Sequence, residues 1–361
     1  MSAVTETTGR YDQNFRVTRS RRNVAWTGIG ALIVVVVFAL LPYYVGDGTT
    51  SLLTQALVVL TLASMWNLLA GYAGLVSVGQ QAFVGLGAYA VLFFNIHGVS
   101  MFTSVPIAAV ACGVCALPLW WLVSRLRSGY FAIATWVLAA TVMLIMERFS
   151  LFGGGTGMGL PNTPSLGDAV LEAYTYWIAL AVTVIALGGM YLLLRGRVGL
   201  TLTAIRDDEV AARSSGVRVG SARMLVFVVA GTGCGAAGAV FAISQLTVDP
   251  SSVFSVEWTA KMAFAVVIGG IGTIEGPILG TIVYMVLQQS LASYNVWYFI
   301  VLGLVAIVVV LVLRRGLWGE LDDRLHVRLF PVGYWLWTPE SARKPGRLRL
   351  PGRRGPGAHA G

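Results

Sequence analysis

Charge is scarce in this chain, and lysine is almost absent. Asp, Glu, Lys and Arg make up 11% of 361 residues against 57% hydrophobic, and Lys261 and Lys344 are the only lysines. So little charge is incompatible with one soluble core and fits helices embedded in lipid. Neither lysine follows a glycine, so there is no G-x-x-x-x-G-K-[ST] loop, and any ATP-driven work has to come from another subunit. The cysteines, Cys112, Cys115 and Cys234, all sit in apolar runs as small hydrophobes; no disulfide framework or compartment follows from them. Cys112 and Cys115 have redox spacing, but mid-span and without a polar partner they read as packing. His97, His326 and His359 are too scattered for a metal site. No small-residue cleavage site precedes the first apolar run, so a removed signal peptide is not expected.

What the chain has instead is a series of long apolar runs. After a polar arm, residues 1–23, spans are predicted over 24–41, 51–70, 102–124, 130–146, 174–194, 224–245 and 297–313. In the 224–245 span, Gly231, Gly235 and Gly238 have the small-residue spacing that lets helices approach closely. Two further stretches are irregular. Residues 75–96 carry Ser77, Gly79, Gln80, Gln81, Gly85 and Gly87, a polar and small load that protein or water must satisfy at membrane depth. That places the element in the bundle interior and invites a break. Residues 261–291 are divided by Gly269-Gly270-Ile271-Gly272-Thr273-Ile274-Glu275-Gly276-Pro277 into halves, each shorter than the ~20 residues of a span. A helical hairpin or a discontinuous helix is predicted there.

With both termini and the segments 71–74, 125–129 and 195–223 on the cytoplasmic side, only Arg148 and Lys261 of the 25 Lys and Arg residues lie outside. That bias is the positive-inside signature, and it accounts for the net charge of +9 without nucleic acid. The Gly- and Pro-rich 150–173 and the stretch 246–260 then become outer loops, and 261–291 has to begin and end outside. The expected architecture is an all-α polytopic membrane bundle of about 9–10 spanning or half-spanning helices. It comprises the arm 1–23, a permease domain 24–315 and a basic tail 316–361 without fixed structure.

The longest polar interruption, 195–223, reads as one short helix. Asp207, Asp208 and Glu209 at its start and Arg213 near its end complement the helix dipole, and Gly216 caps it. Ala204, Ala211 and Ala212 give it a small-residue face that fits a partner's groove, with the flanking charges setting orientation; the plain alternative is a solvated loop. Residues 85–90 match the G-x-G-x-x-A variant of a dinucleotide fingerprint, but that motif needs a strand and a soluble βαβ unit around it.

Gly71-Tyr72-Ala73-Gly74-Leu75-Val76-Ser77-Val78-Gly79, continuing to Ala82-Phe83 and Gly85-Leu86-Gly87-Ala88-Tyr89, resembles the signature of LivM-type permeases of branched-chain amino-acid ABC transporters. Gln80 stands where that family often has His. Arg206-Asp207-Asp208-Glu209-Val210-Ala211-Ala212 with Gly216 resembles the Glu-Ala-Ala-type loop by which importer permeases dock on their ATPase. Gly269-Gly270-Ile271-Gly272-Thr273 with Gly276-Pro277 and Gly280 is similar to the family's late glycine motif. The resemblance runs in order from about Leu52 to Arg315. It implies a cell-membrane permease with both termini cytoplasmic, fed with branched-chain or other neutral amino acids by an extracytoplasmic binding protein. It further implies two ABC ATPase subunits that bind the ATP, a second similar permease, and no cofactor in this chain.

The resemblance assigns ATPase coupling to Ile205, Arg206, Asp207, Asp208, Glu209, Ala211, Ala212 and Gly216. Candidates for the substrate path are Ser77, Gln80, Gln81, Gly270, Gly272 and Glu275, because broken membrane helices free backbone groups that bind polar ligands in transporters. Gln80 and Gln81 read equally well as interhelical hydrogen bonds. Urea or short amides are the alternative cargo. An ion-coupled transporter would need buried ionisable residues, which the spans almost lack, and no His, Asp or Ser constellation supports an enzyme.

Overall fold

In a computed structural model the chain is almost wholly helical, and residues 16–18, 21–126, 129–164, 167–291, 296–313, 316–325 and 335–337 are described. The helices are α1 (Arg21–Leu40), α2 (Asp47–Asn67), α3 (Gln81–Ile96), α4 (Met101–Val123), α5 (Gly129–Glu147), α6 (Asp168–Arg195), α7 (Arg197–Asp207) and α8 (Glu209–Ser214). They continue as α9 (Val219–Gln245), α10 (Pro250–Val253), α11 (Glu257–Gly269), α12 (Gly276–Leu291), α13 (Val296–Val312) and α14 (Gly316–Leu325). Among the described residues, six helices are long and apolar enough to cross a membrane. Four short strands, β1 (Arg16–Thr18), β2 (Met158–Gly159), β3 (Thr247–Val248) and β4 (Trp335–Trp337), pair antiparallel as β1 with β4 and β2 with β3.

The core is built round α9, which packs against α2, α3, α4 and α6. Its small residues sit where backbones meet. A Cβ on Gly238 would run into the backbone of Val84, one on Gly87 into that of Gly235, and one on Gly231 into the Phe83 ring. In lipid there is no water to drive helices together, so close packing of this kind supplies the attraction. The Gly231, Gly235 and Gly238 spacing therefore does what its pattern predicted.

The broken third stretch is also observed. After α2 the chain passes through one π turn, Leu68–Tyr72, and then runs without helix until α3 begins at Gln81. The free backbone groups are met by the protein. Trp66 Nε1 donates to the Ser77 carbonyl at 2.8 Å, and Val78 N donates to Thr135 Oγ1 at 3.2 Å.

The hairpin reading of 261–291 holds, with one correction. Gly269 abuts Gly276, Gly280 abuts the Ala265 backbone, and the Phe264 and Tyr284 rings meet edge to face at 5.8 Å, so α11 and α12 run antiparallel. The first arm is longer than the glycine spacing predicted. Asp249 accepts from Ser252 N at 3.0 Å and caps α10, so helix starts within the expected outer loop and Pro250–Gly269 is long enough to span.

The stretch 150–164 is not loose. Besides the β2–β3 pairing, Leu160 N donates to Leu246 O at 2.9 Å, and Asn162 N donates to Asn95 Oδ1 at 3.0 Å while Asn95 Nδ2 donates to Asn162 O at 3.0 Å. At the other end of the sequence, residues 316–325 form α14 against α11 and α12, where an unstructured tail was predicted. Residues 326–334 and 338–361 of that tail, and 1–15 of the N-terminal arm, lie outside the described residues.

Candidate coupling surface and substrate path

The 195–223 segment is two helices, not one. Asp208 is extended (φ −156°, ψ 110°) and its side chain accepts from Val210 N at 2.8 Å and Ala211 N at 3.0 Å. A short acidic side chain that satisfies two backbone donors ends one helix and starts the next, which divides α7 from α8. The predicted stop is in place: Gly216 takes φ +81°, and Val217 N donates back to Ala212 O at 3.1 Å. Glu209 pairs with Arg213 at 2.5 Å and Arg223 at 3.0 Å, tying α8 to α9. Arg213 is exposed and Glu209 and Arg223 are partly so, and such pairs orient the element more than they stabilise it.

The expected small-residue face is corrected as well. Ala212 is 4% exposed and packs with Ile205 and Val219, next to Ala204, so these alanines seat α8 on its own chain. A six-residue helix has no other means of burying apolar area, and only a small side chain allows that approach. What α8 presents outward is Val210, 74% exposed, with Ala211 and Arg213 exposed beside it in sequence and Asp207 exposed at the end of α7.

The six substrate-path candidates form two groups. Ser77, Gln80 and Gln81 are buried near the start of α11, where Thr259 Oγ1 donates to Gln81 Oε1 at 2.5 Å. Gln80 is 0% exposed, its Nε2 reaches Ser77 Oγ at 3.5 Å, and its Oε1 has no partner among the described residues. Gly270, Gly272 and Glu275 lie at the other end of α11, eleven residues on from Thr259, or ~16 Å along the helix axis. There Asn67 accepts from Gly272 N at 2.9 Å and donates to Thr273 O at 2.7 Å. Sequence reasoning missed Asn67 and Thr259. A lone Asn within an apolar span was the available signal for the first, since such a side chain needs a partner. An apolar cavity of about 290 Å³ touches neither group; it lies between the hairpin and α13, lined by Phe264, Tyr284 and Leu302, with Lys261 and Glu257 also on its wall.

Known proteins resemble this chain along most of its length. The chain is 27% identical to the high-affinity branched-chain amino acid transport system permease protein LivM of Escherichia coli K12, over 76% of this chain and 71% of the relative. It is 23% identical to the probable branched-chain amino acid transport permease protein LivM of Methanocaldococcus jannaschii, over 64% and 78%. To the autoinducer 2 import system permease protein LsrC of Enterobacter sp. 638 it is 30% identical, over 80% and 84%. No solved structure matches. The family model described as branched-chain amino acid transport system / permease component matches residues 48–311, nearly all of the helical bundle, and the chain belongs to that family.

Proposed function

We propose that this chain is the membrane-spanning permease subunit of an ABC importer, carrying branched-chain or other neutral amino acids delivered by an extracytoplasmic binding protein. Separate ATPase subunits supply the energy, a second similar permease completes the pair, and the N- and C-termini face the cytoplasm. The observation that carries the reading is the α7–α8 element: a capped, ion-paired helix presenting Val210 outward, in a chain that has no phosphate-binding loop of its own. An exposed apolar side chain on a rigid, charged element is what a partner groove recognises. Membership of the permease family and the LivM relatives support the cargo.

Val210→Glu is expected to abolish co-purification of the ATPase subunits while leaving the chain folded in the membrane. A variant that still assembles and transports would remove the docking claim. Ala212→Arg is a poorer test, because Ala212 is buried against Ile205 and its replacement would unseat α8 itself. A second cargo, the signal for which the Enterobacter relative is named, is favoured by its 30% identity over 84% of that protein. Competition of labelled leucine uptake by valine, isoleucine and autoinducer 2 separates the two.

A further inference from the structure

The end of the bundle that carries α7 converges on one loop, the break between α11 and α12. Gly272 in that loop has φ +80°, and a Cβ there would lie 2.5 Å from Arg206 Nη1 and 3.2 Å from the Gly71 carbonyl. That conformation favours glycine, and a side chain there would also have to push the Arg206 guanidinium aside. From another direction Asn67 clamps Gly272 N and Thr273 O, while the backbone of Gly71 packs directly on Gly272. Gly316, at the start of α14 with φ +72°, packs on the Gly270 backbone.

The loop is also internally stitched. Thr273 Oγ1 donates to Gly270 O at 2.9 Å and accepts from Gly276 N at 3.0 Å. The backbones of Gly71 and Gly316 meet the loop directly, so it is held closely against its neighbours and a push on it moves it as a body. Arg206 is the one contact among these that belongs to the coupling segment. Its backbone lies in the last turn of α7, two residues before Asp208, and its guanidinium lies on Gly272.

We propose that Arg206 is the positioning residue through which movement of the α7–α8 surface reaches the α11–α12 hairpin. Asn67 binds the same loop to α2, so the hairpin and the π turn at Leu68–Tyr72 shift together. The inference rests on the ATPase-coupling reading. Coupling between sites requires an element that both of them bias, and this loop is in contact with both the coupling segment and the span formed by α2 and its π turn.

The test uses the full chain with Cys112, Cys115 and Cys234 replaced, a fluorophore on Ile271→Cys, and its ATPase subunits bound. Ile271 is 47% exposed within the loop, so a label there reports the hairpin directly. ATP is expected to change its fluorescence. Arg206→Ala should reduce that change about fivefold or more, compared at equal amounts of bound ATPase, and Arg206→Lys should recover part of it. Asn67→Ala should reduce it too, with the double variant no worse than the single ones, because both interrupt one path. A full ATP response in Arg206→Ala, loss of the ATPase from that variant, or a wild-type loop blind to ATP would each overturn the proposal. If the wild-type chain binds no ATPase at all, the coupling reading itself fails and the inference falls with it.

Discussion

Gln80 and Gln81 are neighbours with opposite situations. The Gln81 carbonyl accepts from Thr259, whose hydroxyl also reaches the Val78 carbonyl at 3.4 Å, so this amide joins the broken third element to the hairpin. Gln80 is as deeply buried, yet its Oε1 has no partner among the described residues. An unsatisfied buried carbonyl costs on the order of 1–3 kcal/mol, so an acceptor kept under that penalty suits a donor on a passing solute. Gln80→Leu is therefore expected to leave the melting temperature in detergent unchanged or higher and to slow uptake. Gln81→Leu leaves Thr259 only its longer contact with the Val78 carbonyl and should destabilise by about 1 kcal/mol. Equal melting-temperature losses in the two variants would count against the distinction. Both residues were visible in the sequence as polar groups in an apolar stretch. Which one was satisfied was not, because Thr259 is 178 positions away.

At the scale of elements, the coupling segment depends on one side chain. Asp208→Ala would free Val210 N and Ala211 N and cost α8 about 1 kcal/mol of capping. Hydrogen exchange over 209–214 should speed up while α9 stays protected, and unchanged exchange would show that the cap does not hold α8. The dipole-matched charges and the Gly216 stop were legible from the sequence, since both are local. The division into two helices was not. Residues 197–215 contain no proline, and the cap that ends α7 is also an ordinary surface aspartate. The small-residue face was assigned to a partner because a sequence cannot show that Ile205 and Val219 already occupy it.

For the molecule as a whole, the hairpin and the charge bias make a joint statement about sidedness. The break lies against Arg206 and Gly71, so it shares a face of the membrane with the coupling segment, whereas Thr247 and Asp249 lie at the opposite end of the first arm. In a chain lacking native cysteines, Ile271→Cys and Gly216→Cys should react with an impermeant maleimide from one side, and Thr247→Cys from the other. Labelling of Ile271→Cys from the Thr247 side would mean that the hairpin turns back within the membrane.

The sequence by itself determined the solvent, the approximate spans and both broken elements. These follow from composition and from the glycine-rich breaks, which are properties of short stretches. Only the tertiary structure decided that the path candidates form two groups, that Ala212 faces inward, and that the glycine break lies under Arg206. Those facts depend on contacts such as Asn67 to Thr273, 206 positions apart, and glycine gives no sequence signal for which backbone it will touch. Close approach in lipid is chosen by how whole helices pack, and that is settled only when all of them are in place.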